Sequence, residues 1–213
     1  MSEERIGIDE SGKGDFFGPL VIAGCFVAPW NYSELEGVCD SKKLTDKKAL
    51  ELAKVIKKEC PHEIVMIGPA RYNEMYSEIK NLNRLLAWGH AQALSKVLEK
   101  KECHLAISDQ FADPRYLQSL LDRRGLTVKL VSQVRAEADL AVAAASVLAR
   151  AEFLTRLQRL GEDIGIPLPK GAGPEVDKTA ARIIREKGES ALTGVAKLHF
   201  KTVEKARTLA KGL

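Results

Sequence analysis

Nowhere in these 213 residues does an apolar run approach the roughly 18 uninterrupted positions that a membrane span needs. The opening residues, MSEERIG, also lack the apolar stretch that heads a secretory signal. Cysteine is scarce: Cys25, Cys39, Cys60 and Cys103 lie far apart with no C-x-x-C pair. That spacing suggests neither a zinc knuckle nor a secreted disulfide framework, and leaves four reduced thiols. No window matches G-x-x-x-x-G-K-[ST], so a nucleotide-dependent phosphotransferase is a poor reading and no nucleotide cofactor is expected. Internal repeats and low-complexity tracts are missing too. Together these absences predict a soluble, cytoplasmic protein with no membrane contact.

With 45% hydrophobic residues, the chain can bury a substantial core. Its length fits one domain over 1–213 with a basic helical region from about residue 170. From Lys170 onward there are ten Lys or Arg against five Asp or Glu, which leaves the first 169 residues at −1 within a net charge of +4. A polyanionic partner would be drawn to that end, and a solvated helix face accounts for the same charges equally well.

Hydrophobic periodicity orders the elements. RIGID at 5–9 alternates as a strand does, and PLVIAGCFVA at 19–28 is a continuous apolar run suited to a sheet covered on both faces. A glycine-rich turn would join them as a hairpin. A helix is predicted over 45–59, stopped by Pro61, followed by the strand HEIVMIG. Helical spacing continues from Tyr72 to Lys101, as one helix or as two broken near 81–83. The strand CHLAISD ends in Asp109. A helix near 114–123, the strand LTVKLVS, a long alanine-rich helix opening at AEADLAVAAAS, and helices near 177–186 and 202–211 complete the chain. The order implies an α/β domain with a mixed sheet.

In the stretch IGIDESGKGDFFGP, Asp9 and Glu10 stand side by side where an apolar strand enters glycines. Two carboxylates would repel a bound phosphate unless a divalent cation lay between them. Asp9 and Asp109 each end a strand, where sites gather in open α/β sheets. A regular strand would send residues 9 and 10 to opposite faces, so the break supplied by Ser-Gly-Lys-Gly is needed for Glu10 to join Asp9. With Glu137 at the start of the alanine-rich helix, four acidic residues are candidates for one cluster. Hard oxygen ligands without histidine favour Mg²⁺ or Mn²⁺. Two such ions would suit in-line phosphoryl displacement. An acidic residue at a helix N-terminus has a plain alternative, since it complements the helix dipole.

The segments GIDESGKGDFFGPLVIAG, DSKKLTD, NLNRLLAWGHA, ISDQFA, RAEADLAVAAASVLARAEFL, LPKGAG and VAKLHFKTVEKA occur in this order across nearly the whole chain. They resemble the type 2 ribonuclease H family. The DESGKGD loop, the glutamate of RAE and the KLHFK ending resemble its ribonuclease HIII branch. The resemblance implies an RNase H-like mixed sheet flanked by helices. It also implies hydrolysis of the RNA strand of RNA/DNA hybrids, with divalent metal, to 3′-hydroxyl and 5′-phosphate ends.

Matched residue by residue, Asp9, Glu10, Asp109 and Glu137 would be both the metal ligands and the catalytic residues. Ser11, Gly12, Lys13 and Gly14 match the loop that follows the ribose 2′-hydroxyls, a means of telling RNA from DNA. Ser41, Lys42 and Lys43 match a phosphate-contacting segment, with Lys43 the first choice for a point-charge contact. The interval between Glu137 and AAAS is one residue shorter than the family pattern, which makes Asp139 a rival for the fourth ligand. The branch usually carries an N-terminal substrate-binding domain resembling the TATA-binding protein; here the catalytic strand is reached within ten residues, so that domain is expected to be absent. A monomer acting on hybrid duplexes is the expectation. Incision at single ribonucleotides in DNA, as in the ribonuclease HII branch, and hybrid binding without cleavage are the alternatives.

Trp88 and His90 fall in an apolar helical stripe and are expected in the core. Ala143 to Ser146 are expected to let their helix pack closely on the sheet.

Overall fold

Arg5–Ser11 forms β1, with Ile6 and Ile8 fully buried. Leu20–Val27 forms β2, and all eight of its residues are buried, as a strand covered on both faces requires. The computed structural model describes residues 4–109, 114–133 and 136–212. Three further strands, β3 (His62–Ile67), β4 (Leu105–Asp109) and β5 (Lys129–Gln133), complete one sheet in the order β3-β2-β1-β4-β5. β4 runs parallel to both β1 and β5. Parallel neighbours need crossover connections, and these are helical here.

Capping chemistry sets the helix bounds. Thr45 accepts from Lys48 N to open α1 (Asp46–Glu59). The Tyr72 to Lys101 stretch resolves into two helices, α2 (Pro69–Ile79) and α3 (Leu82–Lys100). Lys80 takes a left-handed conformation at φ 48°, and the Asn81 side chain then accepts from Arg84 N, so one helix stops where the next is capped. After α4 (Pro114–Asp122), the alanine-rich segment differs from expectation at its start. Residues Ala136–Ala138 form a 3₁₀ turn, and α5 spans Leu140–Ile164. The reason is local: Asp139 Oδ1 accepts from Ala141 N at 2.8 Å, making Asp139 the cap and leaving Glu137 in the turn before the helix. The chain ends in α6 (Pro174–Lys187), the short α7 (Leu192–Val195) and α8 (Thr202–Lys211). Among the described residues no helix is long and apolar enough to cross a membrane.

The chain forms two compact units, each discontinuous in sequence. The first comprises residues up to Ser11, Ile22–Val65 and Asn81–Ala151. In it, α5 approaches β1 so closely that a Cβ on Gly7 would stand 2.0 Å from the Ala141 carbonyl carbon. Glycine is required there by space, not by conformation. Ile107, Ala136 and Val142 pack beneath it with Leu105 and Val131.

The second unit comprises Gly12–Val21, Met66–Lys80 and the chain from Glu152 on. There Phe17 and Ala196 form an antiparallel bridge, flanked by Gly18 N to Val195 O at 2.9 Å and Lys197 N to Phe16 O at 2.8 Å. α6 and α8 pack on each other, with Lys205 Nζ 3.4 Å from the nearly buried Asp177 carboxylate.

Candidate active site

Strand register brings the first two carboxylate positions together. Ile8 pairs with Ser108 across β1 and β4, so Asp9 and Asp109 each stand one residue past a matched row on neighbouring parallel strands. Strands in a sheet lie roughly 4.8 Å apart. The two carboxylates therefore leave adjacent strands at the same end. Glu10 N donates to Asp9 Oδ1 at 2.8 Å, which fixes the Asp9 side chain against its own backbone.

Protein surrounds the Asp9 carboxylate even though part of the residue reaches the surface. Burial, reinforced by the neighbouring Glu10 charge, pushes its pKa up to about 7. Ser146 donates to it, and the exposed Lys42 exerts an opposing pull through its charge. Desolvated carboxylates side by side resist ionising together. An all-oxygen site of this kind fits a hard divalent cation.

Three further residues, His90, Ser146 and Arg150, support this site. His90 on α3 is fully buried, as expected of a core residue, and its Nε2 lies 3.0 Å from Glu10 Oε2. Its Nδ1 faces Ser108 Oγ at 3.3 Å. Ser146, expected only to allow close packing, shares a 2.8 Å hydrogen bond with Ser41 Oγ in addition to its bond with Asp9. One helical turn on, Arg150 donates to Ser41 O and pairs with Asp46 Oδ1 at 2.7 Å. Ser146 and Arg150 are polar residues four apart in an alanine-rich stretch. That i, i+4 spacing places both on one helix face and was the available signal.

The predicted residues thus fall into groups. Asp9, Glu10 and Asp109 share one end of the sheet. Ser41, buried, is tied to Asp9 through Ser146, and Lys42 is near enough for its charge to act on Asp9. Lys43 is exposed on the same 3₁₀ turn, Ser41–Lys43. The Ala136–Ala138 turn approaches through Ala136 N, 3.5 Å from Asp109 Oδ1. The Glu137 side chain lies outside the described residues. Among those described, no three His, Cys, Asp or Glu form a complete metal-binding group.

Asp139, the rival, has both oxygens engaged. Oδ2 receives Arg5 Nε at 2.5 Å and Oδ1 caps α5. Arg5 also donates to Tyr32 OH at 2.8 Å.

Ser11 closes β1 in the first unit, whereas Gly12, Lys13 and Gly14 open the second. In the second unit Gly12, at φ +86°, is buried, and a Cβ there would stand 2.2 Å from Pro19 O. Asp15 Oδ1 accepts from Gly171 N at 2.6 Å, and Phe16 N donates to Gly171 O at 2.9 Å. This holds the far side of the loop to the LPKGAG segment.

Residues 6–203 match the family model described as Ribonuclease HII. A ribonuclease HIII from Protochlamydia amoebophila is 49% identical over 202 residues, covering 94% of this chain and 67% of that protein. A ribonuclease HIII from Chlamydia pneumoniae is 42% identical over 207 residues, with 94% and 69% covered. Among solved structures, Bst-RNase HIII in complex with Mn²⁺ superposes with a TM-score of 0.92 at 34% identity, over 99% of this chain and 71% of that one. Sequence, fold and the paired strand ends agree: the chain belongs to the ribonuclease HII family, the type 2 ribonucleases H, and within it to the ribonuclease HIII branch.

Proposed function

We propose that this chain hydrolyses the RNA strand of RNA/DNA hybrids with divalent ions held by Asp9, Glu10, Asp109 and Glu137. The observation that carries the reading is the pairing of Asp9 and Asp109 at matched ends of β1 and β4, with the Asp9 carboxyl enclosed and pushed up to about 7 beside Glu10. The Mn²⁺ complex of Bst-RNase HIII supports the choice of ion. Two ions, Mg²⁺ or Mn²⁺, would supply Lewis acidity to activate a water and to stabilise the departing 3′-oxygen.

The chain's own residues prepare the site. His90 holds the Glu10 carboxylate in place from within the core. Ser146, itself bonded to Ser41, orients Asp9 and lends its carboxylate a proton donor. Lys42 and Lys43 would meet backbone phosphates as point charges. Ser11, Gly12, Lys13 and Gly14 would bring backbone close to the ribose 2′-hydroxyl, the group that separates RNA from DNA. Cleavage on this scheme leaves a 3′-hydroxyl and a 5′-phosphate.

The test is an end-labelled RNA/DNA hybrid incubated with the chain and Mg²⁺ or Mn²⁺, with chelator as control and mapping of the product ends. No cleavage with either ion would leave a hybrid-binding protein instead. A duplex with one embedded ribonucleotide belongs in the same assay, because the matching family model is that of ribonuclease HII. Preferred incision of that duplex would favour the second reading.

A further inference from the structure

Lys197, in the second unit, is a charged side chain buried without any exposure. Buried lysines are uncommon because removing an ammonium from water is costly unless donors find acceptors. Here the acceptors are main-chain carbonyls. Nζ donates to Gly18 O at 2.7 Å and approaches Phe17 O at 3.4 Å and Pro19 O at 3.5 Å. The donors of the side-chain nitrogen face three successive carbonyls. The Tyr72 ring lies 5.8 Å from Nζ, in the range of a cation–π contact.

Those carbonyls belong to the segment that backs the glycine loop. Pro19 O lies 2.2 Å from where a Cβ on Gly12 would stand, and the Phe153 ring closes the same space. Whatever fixes the Phe17–Pro19 backbone therefore fixes Gly12. The main chain of 195–197 is already bonded along Phe16–Gly18, so Lys197 adds a side-chain anchor at the end nearest the glycine.

We propose that Lys197 is a positioning residue for the loop Gly12–Gly14: by holding the carbonyls of Phe17, Gly18 and Pro19 it sets the backbone that meets the strand to be cut. The inference rests on the loop's role in the proposed function. Lys197 is fully buried and acts through Gly12. Its loss should therefore weaken substrate engagement more than the chemical step, a pattern that appears in KM.

Steady-state cleavage of an RNA/DNA hybrid by the full chain tests this, with Lys197→Met, Lys197→Arg and, as a control for general destabilisation, Val203→Ala in α8. We expect Lys197→Met to raise KM about tenfold with kcat within about twofold. Lys197→Arg, which keeps hydrogen-bond donors at this position, should lie between it and the unaltered chain. Val203→Ala should lower the denaturation midpoint with KM unchanged. An unaltered KM in Lys197→Met, or an equal KM rise in Val203→Ala, overturns the inference. Should Lys197→Met not fold, a normal KM in Lys197→Arg overturns it and a several-fold rise supports it. Failure of the unaltered chain to cleave hybrid would instead overturn the proposed function, and this inference with it.

Discussion

A fully buried imidazole, that of His90, bridges the acidic ends of two neighbouring strands: Nε2 lies 3.0 Å from Glu10 Oε2, and Nδ1 faces Ser108 Oγ, one residue before Asp109. Groups that orient a ligand from behind commonly influence metal affinity and activity by about 10- to 100-fold. We predict that His90→Phe, which keeps the packing and removes the hydrogen bonds, lowers hybrid cleavage by about that factor. It should also raise the Mn²⁺ concentration needed for half-maximal rate. A metal titration identical to that of the unaltered chain would refute the prediction.

Glu137 and Asp139 should part company on substitution. Asp139→Ala removes a partly buried partner of Arg5 and the cap of α5, a loss of about 1–3 kcal/mol in urea denaturation. Turnover in the folded fraction should stay near normal. Glu137→Ala should reduce cleavage in the folded fraction by at least about 100-fold, the scale of losing a group that acts directly on the reacting centre. The opposite outcome would transfer the role to Asp139.

Lys197 ties stability to alkaline pH. Burial pulls its pKa down to about 7, against the raising effect of Asp15, whereas in the unfolded chain it titrates near 10.4. Between those values the unfolded state binds the additional proton, so this group makes stability rise as pH rises, by up to about 1.4 kcal/mol per pH unit. Below about 7 it is charged in both states and its burial cost is greatest. The free-energy difference between the unaltered chain and Lys197→Met, measured by urea denaturation, should therefore shift in favour of the unaltered chain from pH 7 to 10. A difference that is constant across that range would contradict this.

Gly7→Ala should cost more than about 3 kcal/mol, because the new methyl would overlap the Ala141 backbone and neither β1 nor α5 can yield without moving the sheet. Recovery of soluble protein with an unchanged denaturation midpoint would show that the two backbones can separate freely.

Much of this architecture was legible because local chemistry dictates it. The apolar run of β2, the cap at Thr45, and the Asn81 signal between α2 and α3 each act within a few residues. α5 starts a few residues later than its alanine-rich composition suggests, because the Asp139 side chain caps Ala141 N and fixes the boundary there. Asp9, Glu10 and Asp109 were visible as strand-end carboxylates. The roles of Ser146, His90 and Lys197 were not, since each depends on a partner far away in sequence. Ser146 meets Ser41 across 105 positions, His90 meets Glu10 across 80, and Lys197 meets Gly18 across 179. The i, i+4 pair Ser146 and Arg150 marks a polar helix face, but only the fold shows that this face meets Asp9 and Ser41. Likewise, a lysine in a basic C-terminal region reads as surface until the fold encloses it.

The contact between β1 and α5 has a temporal side. Arg5 and Asp139 are 134 residues apart. At a synthesis rate of about 5–20 residues per second, β1 leaves the ribosome on the order of ten seconds before α5 follows. Until then Asp9 lacks Ser146 and the surface of Gly7 lacks its helix, so the acidic strand end is an ordinary hydrated peptide. The arrangement proposed to hold the metal ions therefore comes together only once the alanine-rich helix has emerged and docked.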